Sequence, residues 1–289
     1  MYFERRPRLL VWGVSISVYV LLLASLLLQG AYSPKAPYFI PTSQRINNAF
    51  SLGLMIVFLF PAFVEINNDR WLRGVDENIP RLLIDVSEDV RSGVPLLQAL
   101  EQASERSYGP VSKPLSKAMI KFKLTSDLEG ALSEFSEGLV RPVARRLSTI
   151  FVEAYETGGE VVDVLDMSVD VFTSLAEYRK SRSTQMRPYT YIVYLGSIIF
   201  LIISWVILVQ FLGPMQVVAE DPALMGSGVL SSLLSIDYYK SILFWAAVME
   251  SVFGGFVAGK IGTGKVSSGV SHTVILLFIT VCFFNAFSV

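Results

Sequence analysis

Apolar residues along this chain fall into two regimes, and the switch between them is abrupt. Leu9–Gln29, Ile46–Val64 and Pro188–Ala219 contain no charged residue, Ser241–Gly259 is interrupted only by Glu250, and Val266–Val289 only by His272. A helix that crosses a bilayer needs about 20 mostly apolar residues. The pattern therefore predicts five spans, near 9–29, 46–64, 189–212, 241–259 and 266–287. The first run exceeds the roughly 7–15 apolar residues of a secretory signal and reads as a retained anchor.

Between the second and third spans, from Glu65 to Arg187, apolar positions recur every three or four residues, the spacing of amphipathic helices. Ile79, Leu82, Leu83, Val86 and Val90 share one face, with Pro80 placed in a first turn and Gly93 as a stop. Leu96–Ala103, Val111–Phe122, Leu128–Phe135, Val143–Ala154 and Val162–Leu175 give five further stripes. Ser126 or Asp127 is the cap for the fourth helix, and Gly158-Gly159 halts the fifth. The fold class expected is all-α, a polytopic membrane protein with five transmembrane helices and one six-helix bundle. Its parts are a transmembrane hairpin over 1–64, a cytoplasmic helical domain over 65–187 and a C-terminal transmembrane region over 188–289.

Charge sharpens this division. The 65–187 block holds 20 of the 25 acids and 16 of the 24 bases, so the net charge of −1 is a sum over unlike parts. If five spans alternate, eleven Lys and Arg near span ends fall on one side, from Arg5, Arg6 and Arg8 through Lys260 and Lys265. Only Lys35, Arg45 and Lys240 fall on the other. By the positive-inside rule the N-terminus and the helical block are cytoplasmic and the C-terminus is outside. With 52% hydrophobic and 17% charged residues, the composition leaves no basic field for nucleic acid. One cysteine, Cys282, and one histidine, His272, leave no multi-cysteine zinc site or His-rich centre, and no cofactor is expected.

Four features carry candidate chemistry. Gly259-Lys-Ile-Gly-Thr-Gly-Lys265 fits the start of a phosphate-binding loop, but Val266 stands where the magnesium-binding Ser or Thr is needed. It reads as a tight glycine-rich turn. Glu250 lies ten residues before Lys260, and His272 seven after Lys265. At 1.5 Å per residue, depths of roughly 15 and 10 Å place both within reach across a helical hairpin, as a polar clasp or a proton-handling pair. Ser251, Gly255 and Gly259 recur every fourth residue, a spacing that lets helix backbones approach, within the chain or between copies. In the helical block, Glu156, Glu160, Asp163 and Asp166 are acidic candidates for docking a partner, and Lys113, Lys117, Lys121, Arg145 and Arg146 are basic ones for docking a partner or skimming anionic membrane lipids.

Two motifs tie these features to a family. Asp89-Val-Arg-Ser-Gly-Val-Pro-Leu-Leu-Gln-Ala-Leu100 and Ala154-Tyr-Glu-Thr-Gly-Gly-Glu-Val-Val-Asp-Val-Leu165 sit in a six-helix block followed by a span. This resembles the F-type platform proteins of type II secretion, type IV pilus and Tad machines. The tail from Glu250 to His272 is similar to the end of the archaellum J and archaeal Tad C-type branch. The resemblance implies a non-enzymatic platform in the cytoplasmic membrane, working with an assembly ATPase and pilin-like subunits. Archaellum J proteins carry two such domains where this chain has one, which implies a homodimer or a sister platform subunit. Helix continuity from Val162 through Arg187 to Leu212 supplies a lever, softened if Pro188 breaks it. The alternative is a small proton- or ion-coupled transporter using Glu250 and His272.

Overall fold

The computed structural model describes residues 3–29, 40–158, 160–214 and 236–286. Among these the regular structure is helical, with no strand. The helices are α1 (Arg5–Leu28), α2 (Gln44–Arg91), α3 (Leu96–Glu105), α4 (Ser112–Thr125), α5 (Leu128–Leu139), α6 (Pro142–Thr157), α7 (Val161–Val206), α8 (Ile236–Thr263) and α9 (Gly269–Ala286). A 3-10 turn over Gly109–Val111 precedes α4, and α7 passes into a π-helical stretch over Ile207–Leu212. Five helices, α1, α2, α7, α8 and α9, are long and apolar enough to cross a membrane. The chain is an all-α polytopic membrane protein.

One boundary differs from the sequence expectation. Pro80 does not open a helix: α2 runs unbroken for 48 residues, from the second apolar run to Arg91. At Pro188 the expected continuity holds, since the proline lies inside α7, which continues through it. An interior proline removes one backbone hydrogen bond and crowds the preceding turn. Around Pro80 packing prevails over that cost, because Val75 and Ile79 before it and Leu82, Leu83 and Val86 after it are all fully buried in one core.

The chain divides into two compact units, Asn67–Thr184 and Phe3–Ile66 with Gln185–Val289. In the first, the later part of α2, helices α3 to α6 and the start of α7 enclose a core that includes Tyr108, Leu115, Leu132, Leu147, Phe151 and Leu165. Its turns follow local chemistry. Gly93 ends α2 at φ +99°, and Gly158 ends α6 at φ +64°. Asp127 caps α5 by accepting a hydrogen bond from the Gly130 N–H at 2.9 Å, while Ser126 is the left-handed residue closing α4. Asp76 on α2 receives both arms of the Arg141 guanidinium from α6's N-cap and lies 3.5 Å from Arg179 on α7.

In the second unit, Phe58, Leu201, Phe244, Val248, Leu277 and Phe284 form an apolar core. Polar side chains pin its helices at several levels. Asn47 on α2 donates to Ser241 and accepts from the Trp245 indole, both at 2.9 Å. Asn48 bonds Asn285 of α9 at 2.7 Å. The helix α1 is held by Trp12 edge-on to Phe58, by the Tyr19 ring over Gly53, and by an ion pair from Arg8 to Glu65. Glu65 is buried, so this pair spares it from standing as a lone charge.

Candidate functional site

Within the second unit, α8 and α9 form a hairpin whose seam is built from small residues. Ser251 is buried and shares a 2.8 Å hydrogen bond with Thr280, with either hydroxyl able to donate. A Cβ on Gly255 would meet the Thr273 backbone, and one on Gly259 would meet the backbone of Ser268 and Gly269. From the other side, a Cβ on Gly269 would come within 2.6 Å of the Phe256 Cα. The Ser251, Gly255 and Gly259 stripe thus packs against the next helix of the same chain.

Glu250 and His272 are not paired with each other. The Ser197 hydroxyl donates to the Glu250 carboxylate at 2.9 Å, and the Tyr194 hydroxyl and His272 Nδ1 share a 2.8 Å hydrogen bond. Both partners lie on α7, three residues apart. The reason is helix phase. Ser251 and Thr273 occupy the seam, and Glu250 and His272 are their sequence neighbours. One residue turns a helix by about 100°, so both polar groups face sideways onto α7 rather than across the hairpin. The Thr190 hydroxyl adds a 3.5 Å contact to the Ala258 carbonyl. Tyr194 and Ser197 carried no sequence signal as partners, since a Tyr and a Ser in an apolar run are unremarked by composition. Together these residues make a polar line through an apolar bundle, able to fix the register of α7 against the hairpin.

In the helical unit the two motifs quoted above come together. A groove of about 400 Å³ is lined on one wall by residues of the first, among them Val94 and Leu97, and on the other by residues of the second, among them Tyr155, Gly158, Val161 and Val162. The later end of α2 and the start of α3 build one wall, and the α6–α7 junction builds the other.

The charged candidates separate into engaged and free groups. Asp166 accepts from Ser87 at 2.8 Å and pairs with Arg91 at 2.5 Å. Lys121 bonds Glu134 at 2.9 Å and the Gly130 carbonyl at 3.2 Å. That hydrogen bond raises the Lys121 ammonium above its ordinary range and holds the Glu134 carboxyl below its own. Glu156, Glu160, Asp163, Lys113, Lys117, Arg145 and Arg146 are exposed and form no ion pair among the described residues. No three His, Cys, Asp or Glu side chains converge on a metal-sized site among the described residues.

Residues 83–209 match the family of the type II secretion system (T2SS) protein F. An uncharacterized protein of Methanocaldococcus jannaschii is 23% identical over 200 residues, which cover 69% of this chain and 32% of that relative. The chain thus spans about a third of the length of the curated relative it matches. No solved structure matches it. The matched stretch begins inside α2, takes in all of α3 to α6 and runs to the π-helical end of α7. The likeness to protein F therefore covers the helical unit from within α2 to the end of α7, on a chain that is a polytopic membrane protein.

Proposed function

We propose that this protein is the membrane platform of a machine that assembles a type IV filament, pilus- or archaellum-like, or drives type II secretion. The F-type domain over residues 83–209 carries this reading. In it the N-terminus and the helical unit face the cytoplasm, following the Lys and Arg bias. A cytoplasmic assembly ATPase acts on the helical unit, and pilin-like subunits are moved out of the bilayer beside the spans. The platform works as a homodimer or with a sister subunit. It performs no chemistry of its own, in keeping with a family of structural platforms rather than enzymes. The unbroken helix through Pro188 suits α7 to carrying displacement along its length. The resemblance of the Glu250–His272 tail favours an archaeal Tad C-type protein.

The test is to purify the full-length chain in detergent with the assembly ATPase of its own cell and measure co-purification and nucleotide turnover. Complex formation with stimulated turnover is the expected result. Absence of both would overturn the platform reading. Proton or ion flux through the chain reconstituted alone would favour the transporter reading instead, since Glu250, His272, Tyr194 and Ser197 are the polar groups such a path would use.

A further inference from the structure

Two surfaces of the helical unit are left uncovered, and they complement each other. The first is the groove between the two motifs. Its lining side chains are mostly aliphatic, with polar surface among them, and the flanking sequence is strongly acidic: residues 147–178 contain seven acids and no base. Glu156, Glu160 and Asp163, interleaved with lining residues Tyr155, Gly158, Val161 and Val162, are exposed and free of ion pairs among the described residues. On the opposite wall the lone base between residues 82 and 105 is Arg91, and it is already engaged by Asp166.

The second surface is one face of α4. Lys113, Lys117, Ile120 and Leu124 follow the i, i+4, i+7, i+11 spacing, so they fall within about 60° of one another around the helix. Leu124 is 82% exposed and Ile120 57% exposed, while Lys113 and Lys117 form no ion pair among the described residues. The helical unit exposes other large apolar side chains, Val140, Met167, Val171 and Tyr178 among them, and here two of them share a helix face with Lys113 and Lys117. The stripe has the character the groove lacks: apolar knobs with positive charge behind them.

We propose that α4 of one copy of this chain docks into the groove of a second copy. Leu124 and Ile120 enter between Val94 and Leu97 on one side and Val161 and Val162 on the other. Lys113 and Lys117 then lie against Glu156, Glu160 and Asp163, where opposite charges orient the contact and reject the reversed one. Groove and stripe are different patches of one chain, so the two copies of a dimer can exchange them reciprocally, each stripe in the other's groove. The inference rests on the platform reading only for the presence of a second copy and deepens it by naming the surfaces that meet, neither of which requires an ATPase or a pilin.

Two differently tagged full-length copies, both carrying Cys282→Ser, are to be co-expressed in one membrane. One bears Leu124→Cys and the other Val162→Cys, and mild oxidation reports their proximity. A mixed disulfide dimer is expected, absent when Glu137→Cys on α5 replaces Val162→Cys. Adding Glu156→Lys and Glu160→Lys to the groove copy sets like charges together, and the yield is expected to fall roughly tenfold or more. Lys113→Glu and Lys117→Glu on the stripe copy are expected to restore it, which also shows that the reversed chains fold. The proposal is overturned by absence of the mixed dimer, by a yield indifferent to both charge sets, or by failure of the second set to restore the first. Efficient Leu124–Leu124 linkage with no mixed product would assign the stripe to another contact and equally overturn it. No ATPase enters the experiment, so its failure leaves the platform reading standing.

Discussion

The Tyr194 hydroxyl and the His272 Nδ1 share a 2.8 Å hydrogen bond, their rings edge to face with centroids 5.8 Å apart. One turn along α7, the Ser197 hydroxyl holds the Glu250 carboxylate at 2.9 Å. Each ionisable group that interrupts an apolar span is therefore tied to the same neighbouring helix.

If these contacts fix α7 in register, Glu250→Gln retains a side chain able to accept from Ser197 and leaves thermal stability nearly unchanged. Ser197→Ala removes the donor and is expected to cost about 1 kcal/mol, the scale of interhelical hydrogen bonds in bilayers. Thermal unfolding of the detergent-solubilised protein compares the two. A Glu250→Gln protein that is stable yet inactive in assembly would assign a proton-handling role to Glu250.

Glycine positions in the second unit differ sharply in what a side chain would meet. At Gly259 a Cβ collides with the Ser268 and Gly269 backbone, whereas at Gly196 it meets nothing within 4 Å. Gly259→Leu is expected to cost about 3 kcal/mol or more by forcing the α8–α9 hairpin apart. Gly196→Ala is expected to be neutral or slightly stabilising, since alanine favours the helix. Thermal unfolding of the two variants side by side checks this, and equal losses would contradict the packing described for the hairpin.

Arg141 and Asp76 join α6 to α2 through a two-armed ion pair, with Arg179 close by at 3.5 Å. Both partners are about three-quarters buried. Arg141→Ala is expected to cost about 2 kcal/mol, between an exposed pair and a fully buried one, because Arg179 still answers Asp76. Arg141→Lys keeps the charge but not the fork, and is expected to recover only part of that loss. Denaturant titration of the helical unit's signal within the full chain measures both.

Tyr108 is buried in the core of the helical unit and donates to Asp85 at 2.7 Å. Burial, reinforced by that hydrogen bond, pushes its hydroxyl up from 10.0 to about 12. The folded value lies above the unfolded one, so the contribution is complete below about pH 10 and is lost as pH rises towards 12. Stability measured from pH 9 to 11.5 is expected to fall more steeply for the native chain than for Tyr108→Phe. Parallel curves would show that Tyr108 does not govern the alkaline limb.

Val140 closes α5 in the left-handed region at φ +53°, a conformation that a β-branched side chain resists. It is also exposed, so its side chain gains little from packing. Val140→Asn is expected to stabilise the protein by about 1 kcal/mol, as asparagine tolerates that backbone. A rise in the unfolding midpoint checks it.

The five apolar helices, the six helical stripes of the polar block, and turns such as Gly93, Asp127 and Gly158 could all be read from the chain. These are local matters: hydrophobic period, capping oxygens and positive φ are written within a few residues of where they act. The likeness to F-type platform proteins was legible for the same reason, since both motifs are short and continuous and both lie inside the matched stretch 83–209. What tertiary structure alone decided is everything that depends on helix phase and on pairs distant in the chain. The sequence carried Glu250 and His272 to similar depths, but seam residues Ser251 and Thr273 rotated them away from each other and onto Tyr194 and Ser197. Proline statistics placed a boundary at Pro80, and burial of one continuous face on both sides of it overrode that local preference. The groove is the clearest case. Its walls come from motifs some 60 residues apart, and only the packing of α2 and α3 against the α6–α7 junction makes them one surface.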